Sequence, residues 1–588
     1  MCGISALYRF TKVTAEDVRK LEKMNRQMAY RGPDEDGYWN NDTCALAHTR
    51  LSIIGLENGA QPLYNADKSI VLVCNGEIYN YKELRLHVAG KGYHCATESD
   101  CEVIIYLYEL YGEKCLEYLR GPFAFALYDS KKDTLFVARD RVGEKTLYYA
   151  QLPTGFVFST ELKAILKNFV PQPEIDMDVL ATCIRYNYPT DLRHTWIKQI
   201  HRVQQGEYGI VDKDGLHLHT YWKRLYRSSV SANVTEEEAI EEIRRLMKES
   251  VNLCMHADVP VAVMLSGGID STSIAHYAKE SGHEVHVLSA GYKGNFAVDE
   301  RQVAKRFADE NGLIYHDIEL DANDFASLFE EEMQFVDEPC SDVSSMSQYA
   351  IYKKAREMGF KVILSGVGGD EQFYSYPWDN RIAQALMTRS EHLRLLPWRK
   401  NKAAYLQFVL RHWKYLLLGT TERDIERFPV DWTYDDYNRF AKSATIDGIP
   451  FADIDTHVYP LAMDSPAKLY DFVFSRFMTT LCLYNSDRLG MAAGVEVRCP
   501  LLDYKLVEYI SNLPDELKFR VNESKHLQKK AMEGILPDYI LHAPKRGFEP
   551  PFDFIREMNR TYQYRHIRSD HVFFNSMLAD TLIDNLLK

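Results

Sequence analysis

From the amino terminus to about residue 215, short β-branched and aromatic runs alternate with turns rich in Gly and Asp; residues 69–73, 123–127 and 134–138 are three such runs. Their length, residue type and turn-forming boundaries predict antiparallel sheet with a few helices. A polar stretch of small residues between Arg224 and Val234 interrupts the pattern, and the domain linker is placed there. Thr235 with Glu238 three residues later reads as a capping box, followed by Ile240, Ile243 and Met247 at helical spacing. Beyond it, the apolar runs 259–265, 285–288 and 361–364 are nearly continuous and separated by helix-length segments, as buried parallel strands require. Each runs into a turn of small residues: Ser266-Gly267-Gly268, Ser289-Ala290-Gly291 and Ser365-Gly366. Open parallel sheets bind ligands at such carboxyl ends, so a nucleotide-sized site is expected there. The segment from about 383 to 445 is rich in Trp, Tyr, Arg and Leu and reads as helical, without a recognisable motif.

The chain has 588 residues, too many for one core at roughly 100–200 residues per domain. Hydrophobic residues make up 46% and charged residues 26%, which predicts ordinary packed domains rather than disorder or fibre. A formal charge of −14 lacks the basic footprint that nucleic acid requires, so nucleic acid is not expected as a partner. The 11 cysteines include no CxxC pair, which points away from a disulfide framework or zinc site and towards a reducing cytoplasm. No apolar run approaches the roughly 18 residues of a membrane span, so no membrane partner is expected either.

Cys2 follows the initiator Met, whose removal would place a thiol and a free α-amine on one residue, a nucleophile carrying its own base. RGPDEDG (31–37), AHTRLSI (47–53), CNGEIYNY (74–81), ESDCE (98–102) and ARDRVGEK (138–145) follow in order. This set resembles the glutaminase domain of the class II glutamine amidotransferases, an amino-terminal nucleophile fold, over essentially all of residues 2–210. The resemblance implies that Cys2 attacks the side-chain amide of glutamine. By the same likeness Arg50 holds the substrate carboxylate and Asp100 its ammonium, Asn75 and the Gly76 N–H form the oxyanion hole, and Glu77 lines the pocket. A guanidinium fork suits a carboxylate, and two preorganised donors suit a tetrahedral oxyanion. One departure is GEKTLYY at 143–149, where the family commonly has GIKPLYY.

In the second half, the run before SGGIDSTS (266–273) gives a strand, a glycine-rich turn and a helix start, a geometry that aims backbone N–H groups at an anion. The turn lacks the Lys of a Walker loop. SGGIDS resembles the pyrophosphate loop of ATP pyrophosphatases, which leave an adenylated substrate. With VDEP (336–339), LSGVGGDE (364–371), DRLGMAAGVEVRCPLLD (487–503), KKAMEGILP (529–537) and PKRGF (544–548), the chain resembles the glutamine-dependent asparagine synthetases and their relatives. The fold implied is an α+β amino-terminal nucleophile hydrolase sandwich at 2–215, then an α/β parallel-sheet ATP-pyrophosphatase domain at 235–553 and a helical tail at 554–588. By that likeness Leu265, Ala290, Ser365 and Gly366 touch the adenosine of ATP, and Ser266, Gly267, Gly268, Asp270 and Ser271 lie in the pyrophosphate cradle. Asp270 and Asp370 hold Mg²⁺, and Lys545 neutralises charge on the phosphates.

The resemblance implies an enzyme that hydrolyses glutamine and uses the ammonia to amidate a carboxylate activated as its acyl-adenylate, with aspartate the first expectation. Val367 stands where similar asparagine synthetases commonly have an acid, and it can neither take a proton nor hydrogen-bond. Bulky FYSYPWD (373–379) stands beside the same turn, with Glu371 the nearby carboxylate. These departures keep a uronic acid or a natural-product intermediate open as acceptor. Ring closure without ammonia would not need Cys2, and a decayed glutamine sensor would not need Asp270, Asp370 and Lys545. Relatives are often homodimers, which carries over as an expectation.

Overall fold

The computed structural model describes residues 2–224, 234–294, 296, 298–340, 342–375, 445–446, 449–450, 471, 473–518, 523–544, 550–551, 553–555, 581–583 and 585–587. Twelve strands among them build the first half. They are β1 (Gly3–Arg9), β2 (Glu35–Asn40), β3 (Cys44–Arg50), β4 (Leu63–Tyr64), β5 (Ile70–Gly76), β6 (Phe123–Asp129), β7 (Thr134–Arg139), β8 (Tyr148–Leu152), β9 (Gly155–Ser159), β10 (Ile200–Arg202), β11 (Glu207–Asp212) and β12 (Gly215–Thr220). They form two antiparallel six-stranded sheets, ordered β10-β8-β9-β1-β3-β2 and β12-β11-β7-β6-β5-β4.

The period-2 alternation of strands decides the layering. Ile4, Ala6 and Tyr8 of β1 meet Val71 and Val73 of β5 and Ala124 and Ala126 of β6 in the core between the sheets. The opposite face of β1, through Leu7, joins a core with the helices Ala15–Gln27 and Leu162–Phe169. On the other sheet, Leu72, Phe123 and Phe125 pack with the helices Tyr81–Ala89 and Val103–Tyr111. The result is a helix, sheet, sheet, helix sandwich.

The second half opens with the helix Glu236–Cys254, whose Thr235 and Glu238 form the expected capping box. Its main sheet is made of β13 (Val261–Met264), β14 (His286–Tyr292), β15 (Ile314–Leu320), β16 (Val362–Leu364) and a fifth strand, Glu496–Arg498, all parallel, with β13 between β14 and β16. Helices cover both faces: Val263, Val287 and Leu364 point into one core, Ala262, Leu288 and Ile363 into the other. The strand order reverses at β13, so the turns after β13 and β16 flank the crevice where such sheets bind ligands.

Two strands escape the sequence pattern. β15 is edge-placed and carries polar, partly exposed side chains, while Glu496–Arg498 places two charged residues in the interior. No described helix is long and apolar enough to cross a membrane. The linker core 225–233, most of the aromatic stretch after 383, Lys545 and most of the tail 554–588 lie outside the described residues.

Candidate functional sites at the domain junction

Cys2 sits immediately before β1, in the middle of its sheet and 7% exposed. Its backbone nitrogen, an α-amine once Met1 is removed, donates to Asn75 Oδ1 at 3.1 Å. Asn75 is fully buried near the end of β5, and among the described residues its Nδ2 has no hydrogen-bond partner. A buried donor left unpaired is costly, and here it stands beside the thiol-bearing residue. Gly76 follows where the chain passes so close to Pro122 that a Cβ would lie 2.3 Å from its carbonyl oxygen. Burial pushes the Cys2 thiol up to about 11, against the pull of the amino-terminal charge and of Arg50.

Arg50, at the end of β3, donates to Glu35 at 2.7 Å and to the Gly55 carbonyl at 2.7 Å, which fixes its guanidinium. Asp100 accepts from the Ile78 N–H at 2.6 Å, and burial raises its carboxyl to about 6. Burial and the neighbouring Asp100 likewise push Glu77 well above the usual carboxylate range. Arg498, from the second half, reaches Glu77 at 3.4 Å. The structure thus gathers Cys2, Asn75, Gly76, Glu77 and Asp100 at one end of the sandwich, with Arg50 close enough to act on the thiol.

In the crevice of the parallel sheet, Leu265 directly follows β13 and its N–H donates to the Leu288 carbonyl at 2.9 Å. Gly267 has φ +85°, a left-handed turn that glycine tolerates. Ser271 Oγ accepts from the Ser266 N–H at 3.1 Å, and Ser266 Oγ accepts from the Gly268 N–H at 3.3 Å. The helix Ile269–Glu280 starts directly behind, its N-terminus facing the crevice end of the turn. Ala290, on β14, and Ser365 with Gly366, after β16, flank the same turn. A Cβ at Gly366 would sit 3.0 Å from Asp270 Cβ, and one at Gly369 only 2.2 Å from Asp270 Oδ1. These two glycines make the room that Asp270 occupies.

Asp270 and Asp370 come together through a residue that sequence reasoning passed over. Lys525 is buried in a left-handed conformation, and its Nζ holds Asp270 and lies 2.6 Å from Asp370 Oδ1. Gln528 Nε2 donates to Asp270 Oδ1 at 2.9 Å. Lys525 stands four residues before KKAMEGILP, and its sequence signal was only that proximity. Val367 is partly buried against the apolar core, its N–H donating to Ser365 Oγ at 3.4 Å, and Glu371 is buried beside Cys482.

The two halves are joined by buried ions. Arg31 Nε donates to the Cys2 carbonyl at 3.0 Å, and its NH2 group holds Asp487 at 2.8 Å. Arg488 pairs with Glu161 at 2.6 Å and with Asp337 at 2.9 Å. Arg31 and Asp487 belong to the RGPDEDG and DRLGMAAG motifs, but spacing alone gave neither a partner. Across the same junction Arg120 holds Asp503 at 2.6 Å and Tyr148 donates to Glu338 at 2.5 Å.

The glutamine amidotransferase domain family matches residues 1–222, and the asparagine synthase family matches residues 242–588. The chain is 29% identical to asparagine synthetase (glutamine-hydrolyzing) 3 of Bacillus subtilis, over 93% of this chain and 87% of that one. It is 30% identical to asparagine synthetase (glutamine-hydrolyzing) 1 of the same species, over 94% and 87% respectively. It is equally, at 30%, similar to amidase chyE of Penicillium rubens, over 94% of this chain and 89% of the relative.

Proposed function

Because this chain belongs to the asparagine synthase family, we propose that it is a two-site ligase: glutamine is hydrolysed at Cys2, and the nitrogen is passed to an acyl-adenylate. Aspartate is the acceptor in this reading, and asparagine, AMP and pyrophosphate are the products. The supporting observation is the continuous buried contact from the Cys2 carbonyl through Arg31 to Asp487 of the other half.

At the first site the α-amine of Cys2 takes the thiol proton, and the sulfur attacks the amide carbon. The base is needed because burial keeps the unassisted thiol protonated near neutrality. The unpaired Asn75 Nδ2 and the Gly76 N–H receive the oxyanion, while Arg50 and Asp100 with Glu77 orient the two ends of glutamine. The amine then returns its proton to the leaving nitrogen, which departs as ammonia, and water cleaves the resulting thioester to release glutamate and restore the thiol.

At the second site the Ser266-Gly267-Gly268 turn and the helix behind it cradle the pyrophosphate of ATP, with Leu265, Ala290, Ser365 and Gly366 around the adenosine. Asp270 and Asp370 suit Mg²⁺, since both already converge on one ammonium and two carboxylates leave the remaining positions for phosphate and water. Mg²⁺ bound there would offset phosphate charge. Lys525 brings a fixed positive charge to the same place, and Lys545 is assigned to the phosphates on the family pattern alone. The domains of this reading are 2–215, 235–553 and the tail 554–588. It also takes in a homodimer and a reducing cytoplasm, which suits free thiols at all 11 cysteines.

Val367 supports a second acceptor reading. An apolar side chain between the glycines of the turn removes the acid that similar asparagine synthetases present, and a different carboxylate then fits the pocket. Release of AMP with ATP, Mg²⁺ and glutamine, measured with and without aspartate and alongside asparagine, separates the readings. Aspartate-dependent AMP with matching asparagine is expected. Glutamine hydrolysis with no response to aspartate would discard aspartate and leave the amidotransferase.

A further inference from the structure

Arg50, assigned above to the substrate carboxylate, is held in place by segments that the second half fastens. The loop after β3 fixes its guanidinium: NH2 donates to the Ile54 carbonyl at 3.2 Å and to the Gly55 carbonyl at 2.7 Å. A guanidinium has more N–H donors than these contacts and Glu35 use, so a carboxylate can still be received. The loop fits Arg50 tightly, since a Cβ on Gly59 would lie 2.4 Å from Arg50 NH2. It also reaches the segment that carries Asp100. Gly55 has φ +65°, and a Cβ there would lie 2.9 Å from the backbone carbonyl carbon of Glu98. Asn58 Oδ1 accepts from the Glu98 N–H at 2.9 Å.

The backbone of Arg50 lies beside the RGPDEDG segment. The Asp34 N–H donates to the Arg50 carbonyl at 2.9 Å, and Asp34 Oδ2 accepts from the Ser52 N–H at 2.8 Å. Lys361, the residue before β16, closes this arrangement from the second half. Its Nζ donates to the same Asp34 oxygen at 2.7 Å and to the Ser52 carbonyl at 3.3 Å. With side chains 22% and 26% exposed, Lys361 and Asp34 are more shielded than an ordinary surface ion pair. A second tie stands before β13. Asp258 Oδ2 accepts from the Gly55 N–H at 2.8 Å, and the Asp258 N–H donates to the Ile53 carbonyl at 3.0 Å. Between the ties, Leu51 and Ile53 pack in a core of the second half with Val261, Val263 and Leu364. A surface loop left to itself is among the more mobile parts of a fold, and both polar ties here end on residues that lead into the parallel sheet.

We propose that Lys361 is a positioning residue for glutamine: from the second half it clasps the backbone around Arg50 and, with Asp258, holds the loop carbonyls that aim the guanidinium. This rests on the assignment of Arg50 above. Among the described residues no hydrogen bond or ion pair joins Lys361 to Cys2 or Asn75, so its effect falls on substrate binding and not on the sulfur or the oxyanion donor. A guanidinium already in place receives a carboxylate without first being ordered, and loosening the clasp returns that cost to the binding step.

The test is glutamine hydrolysis by the full chain, read as KM and kcat separately. K361M, which keeps an unbranched stem and loses the ammonium, should raise KM for glutamine roughly three- to tenfold, as one lost hydrogen bond does, with kcat within about twofold of wild type. K361R, which restores the cation, should recover most of the affinity. D258A should raise KM in the same direction, whereas D258N, which keeps an acceptor oxygen, should stay near wild type. An unchanged KM in K361M would overturn the proposal. So would a fall in kcat as large as the rise in KM, because a merely structural contact weakens both alike. Asp258 is exposed, so D258A is expected to fold. If K361M does not fold, an unchanged KM in D258A overturns the proposal alone. No glutamine hydrolysis by wild type, or R50K with the KM of wild type, would instead overturn the reading of the glutamine site.

Discussion

Asn75 carries two tasks on one side chain. Its Oδ1 fixes the Cys2 nitrogen, and its Nδ2 is buried without a partner among the described residues. Asn75→Ala should lower kcat for glutamine hydrolysis by about 10²–10³-fold, the cost of losing one oxyanion donor, while ammonium-driven synthesis persists. Steady-state kinetics with each nitrogen source checks both halves of that expectation. Glu496 answers to pH. Burial raises its carboxyl, but Arg498 and the amino-terminal charge outweigh burial and hold it at about 2. A folded value below the ordinary one of about 4.3 means that its stabilisation is complete above that pH and is lost as the pH falls towards 2. Calorimetry from pH 6 to pH 3 should show the Tm advantage of wild type over Glu496→Gln shrinking on acidification. An advantage that stays constant would show that Glu496 is not a source of the acid sensitivity.

Turns after parallel strands are the elements that build the second site, and glycine sets their shape. Gly369→Ala would drive a Cβ to within 2.2 Å of Asp270 Oδ1, so the carboxylate must move. The expected result is a KM for ATP raised at least severalfold with glutamine hydrolysis unchanged, read from the two half-reactions. The helix cap at Thr235 and the strands β5, β6, β7, β13, β14 and β16 were legible in the sequence, because local pattern and tertiary demand agree there. β15 was not, since an edge strand with partly exposed polar residues carries no apolar run, and neither was Glu496–Arg498, whose buried charges need partners from distant segments. The same holds for the sites. Short motifs marked Cys2, Asn75, Asp100, Asp270 and Asp370, whereas Lys525 becomes notable only when its ammonium is found between two carboxylates far away in the chain.

Over the whole molecule, the junction between halves is held by ions rather than by an apolar seam alone. Arg488 is fully buried between Glu161 and Asp337, one acid from each half. Arg488→Met leaves two carboxylates without that partner, which should cost about 3–5 kcal/mol, measured as lost resistance to urea, and should lower the amide formed per glutamine hydrolysed. Preserved stability together with preserved coupling would assign the junction to other contacts. Arg31 extends this consequence, because a single guanidinium touches the Cys2 carbonyl in one half and Asp487 in the other. The two halves are therefore not exchangeable cassettes. A chimera that takes its glutaminase from a relative inherits a foreign set of ions, so it needs both sides of the seam transplanted together, and acceptor specificity is better altered inside the crevice than by swapping halves.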